Sequence, residues 1–274
     1  MTRTAWSTVL SLTCAAISGC AGVSRMEEAQ TAYDAGDYDR AIQWSSLSID
    51  NGEAGGYLLR GKSYEKKGDP LKAVADYDHA RQEAPDQGEP ALREAKCYLS
   101  VGRPADAEAT IAGAIKTGST VYSLRDQLLV HAMHGEIQLA VGDFPRANDS
   151  FGEALKVARL SKPLEAEAAT GIVHYNQSRT NFELGAYRRA RESFQAYLGI
   201  RESAGGVDPQ DLYTLAVLHF LCEDIVSSRK VAAGLGPDLK SRLDAILSGD
   251  TFSVGALYDF KQKQKDGENR KDSE

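Results

Sequence analysis

The sequence predicts an all-α protein, a solenoid of about six helix pairs closed by one last helix near the C-terminus. A self-similar pattern recurs six times, no segment alternates like a β-strand, and every proline falls in a turn or at a predicted helix start. Stacked helical units of this kind bury a continuous core between neighbours. The six copies are centred on turns at Gly36, Gly68, Gly102, Gly142, Gly185 and Glu223.

The second copy is the most complete. Its marked residues are Tyr57, Gly61, Tyr64, Gly68, Asp69, Ala73, Tyr77, Ala80 and Pro85. In a unit of 34 residues these take positions 4, 8, 11, 15, 16, 20, 24, 27 and 32. This pattern resembles the tetratricopeptide repeat. The resemblance implies two antiparallel helices per unit, which cross at positions 8 and 20, and a large residue at position 24 between successive pairs.

The other copies keep the features that close helix packing requires. Positions 8 and 20 hold only small residues, in the pairs Ala29/Ala41, Gly61/Ala73, Ala95/Ala107, Gly135/Ala147, Ser178/Ala190 and Ala216/Ser228. Position 24 of the four middle units holds Tyr77, Ile111, Phe151 and Phe194. The register therefore predicts helix pairs at about 24–50, 54–83, 88–117, 121–160, 163–203 and 208–234, with a capping helix near 237–248.

The N-terminus differs from the rest of the chain. Arg3 precedes an uncharged stretch, Ala5 to Ile17, which is the pattern of a secretory signal peptide. The next residues, Ile17-Ser18-Gly19-Cys20, resemble the lipobox of bacterial lipoproteins. That resemblance implies a lipid on Cys20 and, with Ala21 in place of the retention signal Asp, an outer-membrane location on the periplasmic face. An ordinary signal peptide with a chance cysteine is the alternative.

Three segments are therefore expected: a signal peptide at 1–19, a helical solenoid at 20–250 and a flexible polar tail at 251–274. The net charge of −7 argues against a nucleic-acid partner, because such binding relies on Lys and Arg at phosphates. Cys97 and Cys222 lie three repeats apart, too far for one disulfide, and are expected to be free thiols.

The sequence shows no motif that predicts an enzyme or a cofactor. It lacks a phosphate-binding glycine loop, a nucleophile elbow and a paired-cysteine metal motif. One catalytic alternative stays open, in which His131 and His134 bind a metal on one helix face near Glu136. The alternative reading is that both histidines are packing residues.

A partner-binding groove is expected instead. In this repeat family, first-helix positions 2, 5, 9, 12 and 13 line the concave side. In this sequence these positions hold mostly apolar side chains together with a few cations. Such a surface suits a partner peptide or helix that carries apolar and acidic residues. The predicted groove is Tyr33, Leu58, Lys62, Leu92, Lys96, Leu99, Tyr175, Arg179, Phe182, Tyr213 and Phe220, while Leu129 and Leu139 are expected to pack partly on neighbouring repeats.

Six repeats behind a lipobox resemble the outer-membrane pilotin-type lipoproteins of type IV pili, which assist assembly of a secretin ring. The resemblance implies a lipid-anchored scaffold with protein partners in the periplasm or outer membrane. The alternatives are an adaptor for a periplasmic protease, for a peptidoglycan synthase or for the outer-membrane assembly machinery. A repeat fold alone does not choose among them.

Overall fold

The structure is a computed structural model that describes residues 24–161 and 163–248, without the side chains of 163–166. Throughout these ranges the regular structure is helical and no β-strand occurs, as the sequence predicts. The predicted signal peptide, the lipidation residue Cys20 and the predicted tail lie outside the described residues. The chain divides into two compact units at Glu83/Ala84.

The first unit contains two helix pairs. Its helices are α1 (Arg25–Asp34), α2 (Tyr38–Asp50), α3 (Gly56–Lys66) and α4 (Pro70–Glu83). The Ser24 side chain accepts a hydrogen bond from the backbone N–H of Glu27, whose carboxylate accepts one from the N–H of Ser24. This capping box satisfies two amides that have no partner within the helix. The chain therefore enters the first repeat at a defined residue.

The second unit contains four helix pairs and a final single helix. These are α5 (Glu89–Ser100), α6 (Pro104–Val121), α7 (Leu124–Ala140), α8 (Phe144–Leu160), α9 (Pro163–Glu183), α10 (Tyr187–Ser203), α11 (Pro209–Leu221), α12 (Ile225–Ala232) and α13 (Pro237–Leu247). Helix α13 packs against α11 and agrees with the predicted capping helix. Helix α6 runs four residues beyond the predicted end at 117. None of the helices in the described ranges is long and apolar enough to cross a bilayer.

The turn between the helices of each pair is set by position 15. At this position Gly142 has φ 81°, a left-handed conformation in which a Cβ atom would be strained. The following residue, Asp143, accepts a hydrogen bond from the N–H of Arg146 and caps α8. In the sixth pair Glu223 takes the same conformation with φ 61°, so the turn is retained without glycine.

The helix-crossing layer is as tight as predicted. The alanines and serines at positions 8 and 20 are fully buried, and a Cβ added at Gly135 would lie 2.6 Å from the Phe151 ring. Likewise, a Cβ added at Gly61 would lie 2.7 Å from the Tyr77 ring. A glycine at position 8 therefore makes room for the aromatic ring at position 24 of the same pair. Tyr77, Ile111, Phe151 and Phe194 are all 0% exposed.

Beside this layer, the residues at positions 7 and 23 form a polar pair in each of four successive repeats, the second to the fifth. Arg60 bonds Asp76 through two contacts of 2.9 and 2.7 Å. Buried polar groups need such partners, since an unpaired one costs free energy. The other three pairs, also sixteen residues apart, are Glu94–Thr110, His134–Ser150 and Gln177–Ser193. In the sixth repeat the same positions are apolar, Leu215 and Val231.

Both cysteines of the described residues are free thiols, as expected, with Cys97 buried and Cys222 half-buried. Burial raises the pKa of the Cys222 thiol, although Arg191 and Arg188 lower it. A thiol held in its neutral form is a poor nucleophile. These cysteines therefore act as packing residues in the fold.

Candidate functional site

The first helices of the second unit carry most of the predicted groove residues. Helices α5, α7 and α9 contact one another in succession, so residues at equal repeat positions lie side by side along them. We call the residues at positions 2, 5, 9, 12 and 13 of these helices and of α11 the first-helix wall. Asn176 on α9 donates a hydrogen bond of 3.2 Å to Glu136 on α7 and joins two neighbouring helices of this wall.

The α5 part of the wall has an apolar and a charged component. Leu92 and Leu99 are half-buried and pack against the core of α5, α6 and α7. Between them Lys96 is exposed, at position 9. A cation flanked by partly exposed apolar side chains can contact both the apolar and the acidic groups of a partner.

The α9 part of the wall includes the most exposed apolar residue of the site. Tyr175 is half-buried, with its ring 5.3 Å from that of Tyr197, and Arg179 lies one turn further along the helix. Ile172, at position 2, is 54% exposed. The prediction missed Ile172, although the register that selects Tyr175 also selects the residue three positions before it.

Two predicted groove residues are buried, and their assignment to an accessible groove is wrong. Tyr213 is 2% exposed because α13 covers α11 and places the Arg242 guanidinium 5.0 Å from the centre of its ring. Phe182 is 7% exposed, with the Tyr187 ring edge-on at 5.4 Å. Both belong to the core of the last repeats. They stabilise the fold and offer no surface to a partner in this structure.

The remaining predicted residues are half-buried. Phe220 packs against the core of the last repeats. In the first unit, Tyr33 packs edge-on against Tyr38 with ring centres 5.6 Å apart, and Leu58 and Lys62 are half-buried. Lys62 belongs to the first unit, and Lys96 and Arg179 to the second.

The histidines of the metal alternative are half-buried on α7. Gln138 donates to Nε2 of His134 at 2.9 Å, and Nδ1 of His134 lies 3.1 Å from the Ser150 hydroxyl, which donates to Gln138. Burial lowers the pKa of His134 and also that of His131. The ring nitrogens of His134 are thus occupied within the fold. Among residues 24–161 and 163–248, no group of three or more His, Cys, Asp or Glu is placed to hold a metal ion.

The comparisons with known proteins agree with this geometry. Residues 65–128 and residues 132–206 each match a family model described as tetratricopeptide repeat. The chain contains tetratricopeptide repeats. Such repeats build protein-binding surfaces from stacked helix pairs. A sequence search of curated proteins finds no significant match.

Solved structures show the same tetratricopeptide-repeat fold. PilW, described as a widely conserved type IV pilus biogenesis factor, is 16% identical, with a TM-score of 0.58 over 80% of this chain and 96% of PilW. PilF of Pseudomonas aeruginosa is 14% identical, with a TM-score of 0.59 over 87% of this chain and 96% of PilF. BtubC of P. vanneervenii is 20% identical, with a TM-score of 0.55 over 90% of this chain and 95% of BtubC. At these identities the likeness concerns the fold alone.

Proposed function

We propose that this protein is a lipid-anchored scaffold on the periplasmic face of the outer membrane, where the first-helix wall of its second unit binds a segment of a protein partner. The observation that carries the binding role is the α9 surface, where Ile172 is 54% exposed beside the half-buried Tyr175. Lys96 on α5 adds an exposed cation to the same wall. The partner segment is therefore apolar with acidic residues, either as a helix or as an extended peptide.

Apolar side chains and cations contribute differently to the binding of a partner. Removing apolar surface from water contributes about 25 cal/mol per Å². Aromatic residues such as Tyr175 dominate interfaces, whereas exposed ion pairs contribute about 0–1 kcal/mol each. Cations such as Lys96 therefore set the orientation and the association rate of an acidic partner. Affinity comes from Ile172, Tyr175 and their apolar neighbours.

The lipid anchor rests on the sequence Ile17-Ser18-Gly19-Cys20. Cys20→Ser should abolish lipid labelling and release the protein into the soluble periplasmic fraction. A lone myristoyl chain holds a protein only weakly, whereas several chains on one cysteine give stable attachment. A variant that labels and partitions with membranes as before would contradict the anchor and leave the binding role of the wall untouched.

A role in assembling the secretin of a type IV pilus is the finer proposal. It is supported by the lipobox-like sequence together with a fold shared with PilW and PilF. Both of those proteins are covered over 96% of their length, so this chain contains a counterpart of nearly the whole of each. The partner proposed on this basis is an outer-membrane or periplasmic subunit of the pilus machine.

Site-specific photo-crosslinking in the native host tests both levels of the proposal. A photoreactive phenylalanine analogue at Ile172 should capture one partner, and the same analogue at Val226, 81% exposed on the second helix α12, should not. Mass spectrometry then identifies the captured protein. If the captured protein is a pilus secretin subunit, the pilus role is supported. If it is a protease or a cell-wall enzyme, the pilus role is wrong and an adaptor role takes its place. Equal capture at both positions would contradict the wall as the site.

A further inference from the structure

The fourth helix pair carries an apolar surface at the end opposite its turn. Its helices α7 and α8 pack closely against each other, and Leu124 and Leu160 lie equally far before and after the turn residue Gly142. Residues at equal distances from the turn lie side by side in an antiparallel helix pair. Leu160 is 73% exposed, and Leu124 is exposed as well. Two large apolar side chains therefore meet in water at this end of the pair.

The loop between α6 and α7 adds a third exposed apolar side chain, Val121. Tyr122, the next residue, is buried, and its ring fills the space that a Cβ atom at Gly118 would need. The carbonyl of Tyr122 accepts a hydrogen bond of 2.9 Å from the Gln127 side chain. These contacts fix the loop with Tyr122 inside and Val121 outside. The exposed surface is thus part of a well-defined conformation.

Three cations accompany these apolar side chains, in a chain whose net charge is −7. Arg125 and Arg159 follow and precede the two leucines in the sequence, and both are exposed. Neither arginine forms an ion pair with a side chain that the structure describes. Lys116, on the last turns of α6, is the third exposed cation. The acidic residue of this loop, Asp126, is half-buried in the N-terminal cap of α7.

Helix stability explains only part of this charge pattern. A cation in the last turn of a helix stabilises the helix dipole, and Arg159 lies there in α8. Arg125 lies in the first turn of α7, where the dipole favours an acidic residue and a cation is unfavourable. An exposed arginine at such a position, next to exposed leucines, indicates an anionic binding partner.

We infer that this surface contacts a phospholipid bilayer that contains anionic lipids. We call it the loop-end patch and define it as Val121, Leu124, Leu160, Lys116, Arg125 and Arg159. Exposed aliphatic side chains enter the interfacial region of a bilayer, while neighbouring cations are attracted to anionic headgroups. The inference rests on the membrane location in the proposed function. Its residues are separate from Cys20 and from the first-helix wall.

The contact is weak, and it orients the protein on the membrane without anchoring it. A single myristoyl chain binds a bilayer with a constant of only about 10⁴ M⁻¹, and three aliphatic side chains bury less apolar surface. For a protein already held by a lipid, a weak contact suffices, because tethering raises the effective concentration of the second site. Cys20→Ser should therefore still release the protein, although the patch is intact.

Sedimentation with vesicles tests the inference on the mature chain carrying Cys20→Ser, which has no lipid of its own. This chain should bind vesicles of equal parts phosphatidylcholine and phosphatidylglycerol at millimolar lipid, and several-fold less to vesicles of phosphatidylcholine alone. Added salt should weaken the binding to the anionic vesicles. Equal binding to both kinds of vesicle, or binding to neither, would overturn the inference, whether or not Cys20 carries a lipid in the cell.

A matched pair of substitutions assigns the vesicle binding to this patch. Arg125→Glu should weaken it about tenfold, because the change removes one attraction to the headgroups and adds a repulsion. Arg188→Glu makes the same charge change at an exposed arginine of α10 and should leave the binding unchanged. Circular dichroism should show the same helicity in both variants. An equal loss of binding in both would overturn the inference, because binding would then depend on net charge alone.

Photo-crosslinking in the cell tests the contact in the full-length protein. A photoreactive phenylalanine analogue at Leu160 should form adducts with phospholipid. The same analogue at Val226, which is 81% exposed in the first turn of α12, should form several-fold fewer. Equal lipid adducts at both positions would overturn the inference. Adducts of Leu160 with a protein, without lipid adducts, would overturn it in favour of a protein partner or a second copy.

Discussion

Tyr175 and Tyr213 occupy the same position in successive repeats and have different environments. Tyr175 on α9 is half-buried on the first-helix wall, whereas Tyr213 on α11 is 2% exposed beneath α13. Arg242 of α13 covers the Tyr213 ring at 5.0 Å, and the ring of Tyr175 instead packs edge-on against Tyr197 at 5.3 Å. A repeat position therefore does not fix the role of its side chain. The helix that follows decides whether the residue belongs to a surface or to the core.

The largest expected effect is on stability, at the buried member of this comparison. Tyr213→Ala should lower the free energy of unfolding by about 3–5 kcal/mol, the cost of removing a buried aromatic side chain and leaving a cavity. Urea denaturation of both variants measures the difference, with Tyr175→Ala as the matched control. If Tyr175→Ala costs as much as Tyr213→Ala, the two tyrosines have the same structural role and the comparison fails.

The helix-crossing layer provides the next contrast, because its environment is the same in every repeat. Ala107→Leu should cost about 1–3 kcal/mol, since Ala107 is fully buried and a larger side chain overpacks the crossing. Ala73→Leu should behave alike in the first unit. Ala105, in the first turn of α6, is exposed, so Ala105→Leu should change stability little. A large effect at Ala105 would show that the register is shifted.

The sequence predicts this crossing layer and the order of the helices well, because both depend on backbone geometry within one repeat. Small residues at positions 8 and 20 and a glycine turn are visible in the chain itself. The burial of Tyr213 and Phe182 was predicted wrongly, because it depends on α13 and on Tyr187, which lie outside the pattern that defines the wall. The polar pairs at positions 7 and 23, such as Arg60–Asp76, vary in chemistry and were not recognised.

A binding measurement applies to Tyr175, the half-buried member of the comparison. With the partner identified by crosslinking, Tyr175→Ala should weaken capture about tenfold, equivalent to about 1.4 kcal/mol. Lys96→Ala should weaken it less and reduce its salt dependence, because an exposed cation contributes about 0–1 kcal/mol. Helicity should be unchanged in both variants. Normal binding of Tyr175→Ala, together with loss of binding in Arg188→Glu on α10, would move the site away from the first-helix wall.

The smallest expected effect is the contribution of His134 to the pH dependence of stability. His134 lies on α7, the first helix of its pair, and faces Ser150 on the second helix, α8. Burial lowers the pKa of His134, and the positive charge of Arg146 lowers it further. The Glu108 carboxylate, 3.7 Å from the ring, acts in the opposite direction and raises this pKa. The neutral ring accepts the hydrogen bond from Gln138, and protonation would remove that acceptor. The folded chain therefore binds this proton less readily than the unfolded chain.

The sign of the effect follows from this difference in proton affinity. The contribution of His134 is fully present above its unfolded pKa of about 6.5 and is lost as pH falls through its lower folded pKa. The midpoint temperature of thermal unfolding should therefore decrease as the pH is lowered from about 7.5 to about 5.5. His134→Gln should make this decrease smaller. His79→Gln, at an exposed histidine on α4, should leave it as in the wild type. If His134→Gln and His79→Gln show identical pH profiles, the hydrogen bonds of His134 with Gln138 and Ser150 do not contribute to the pH dependence of folding.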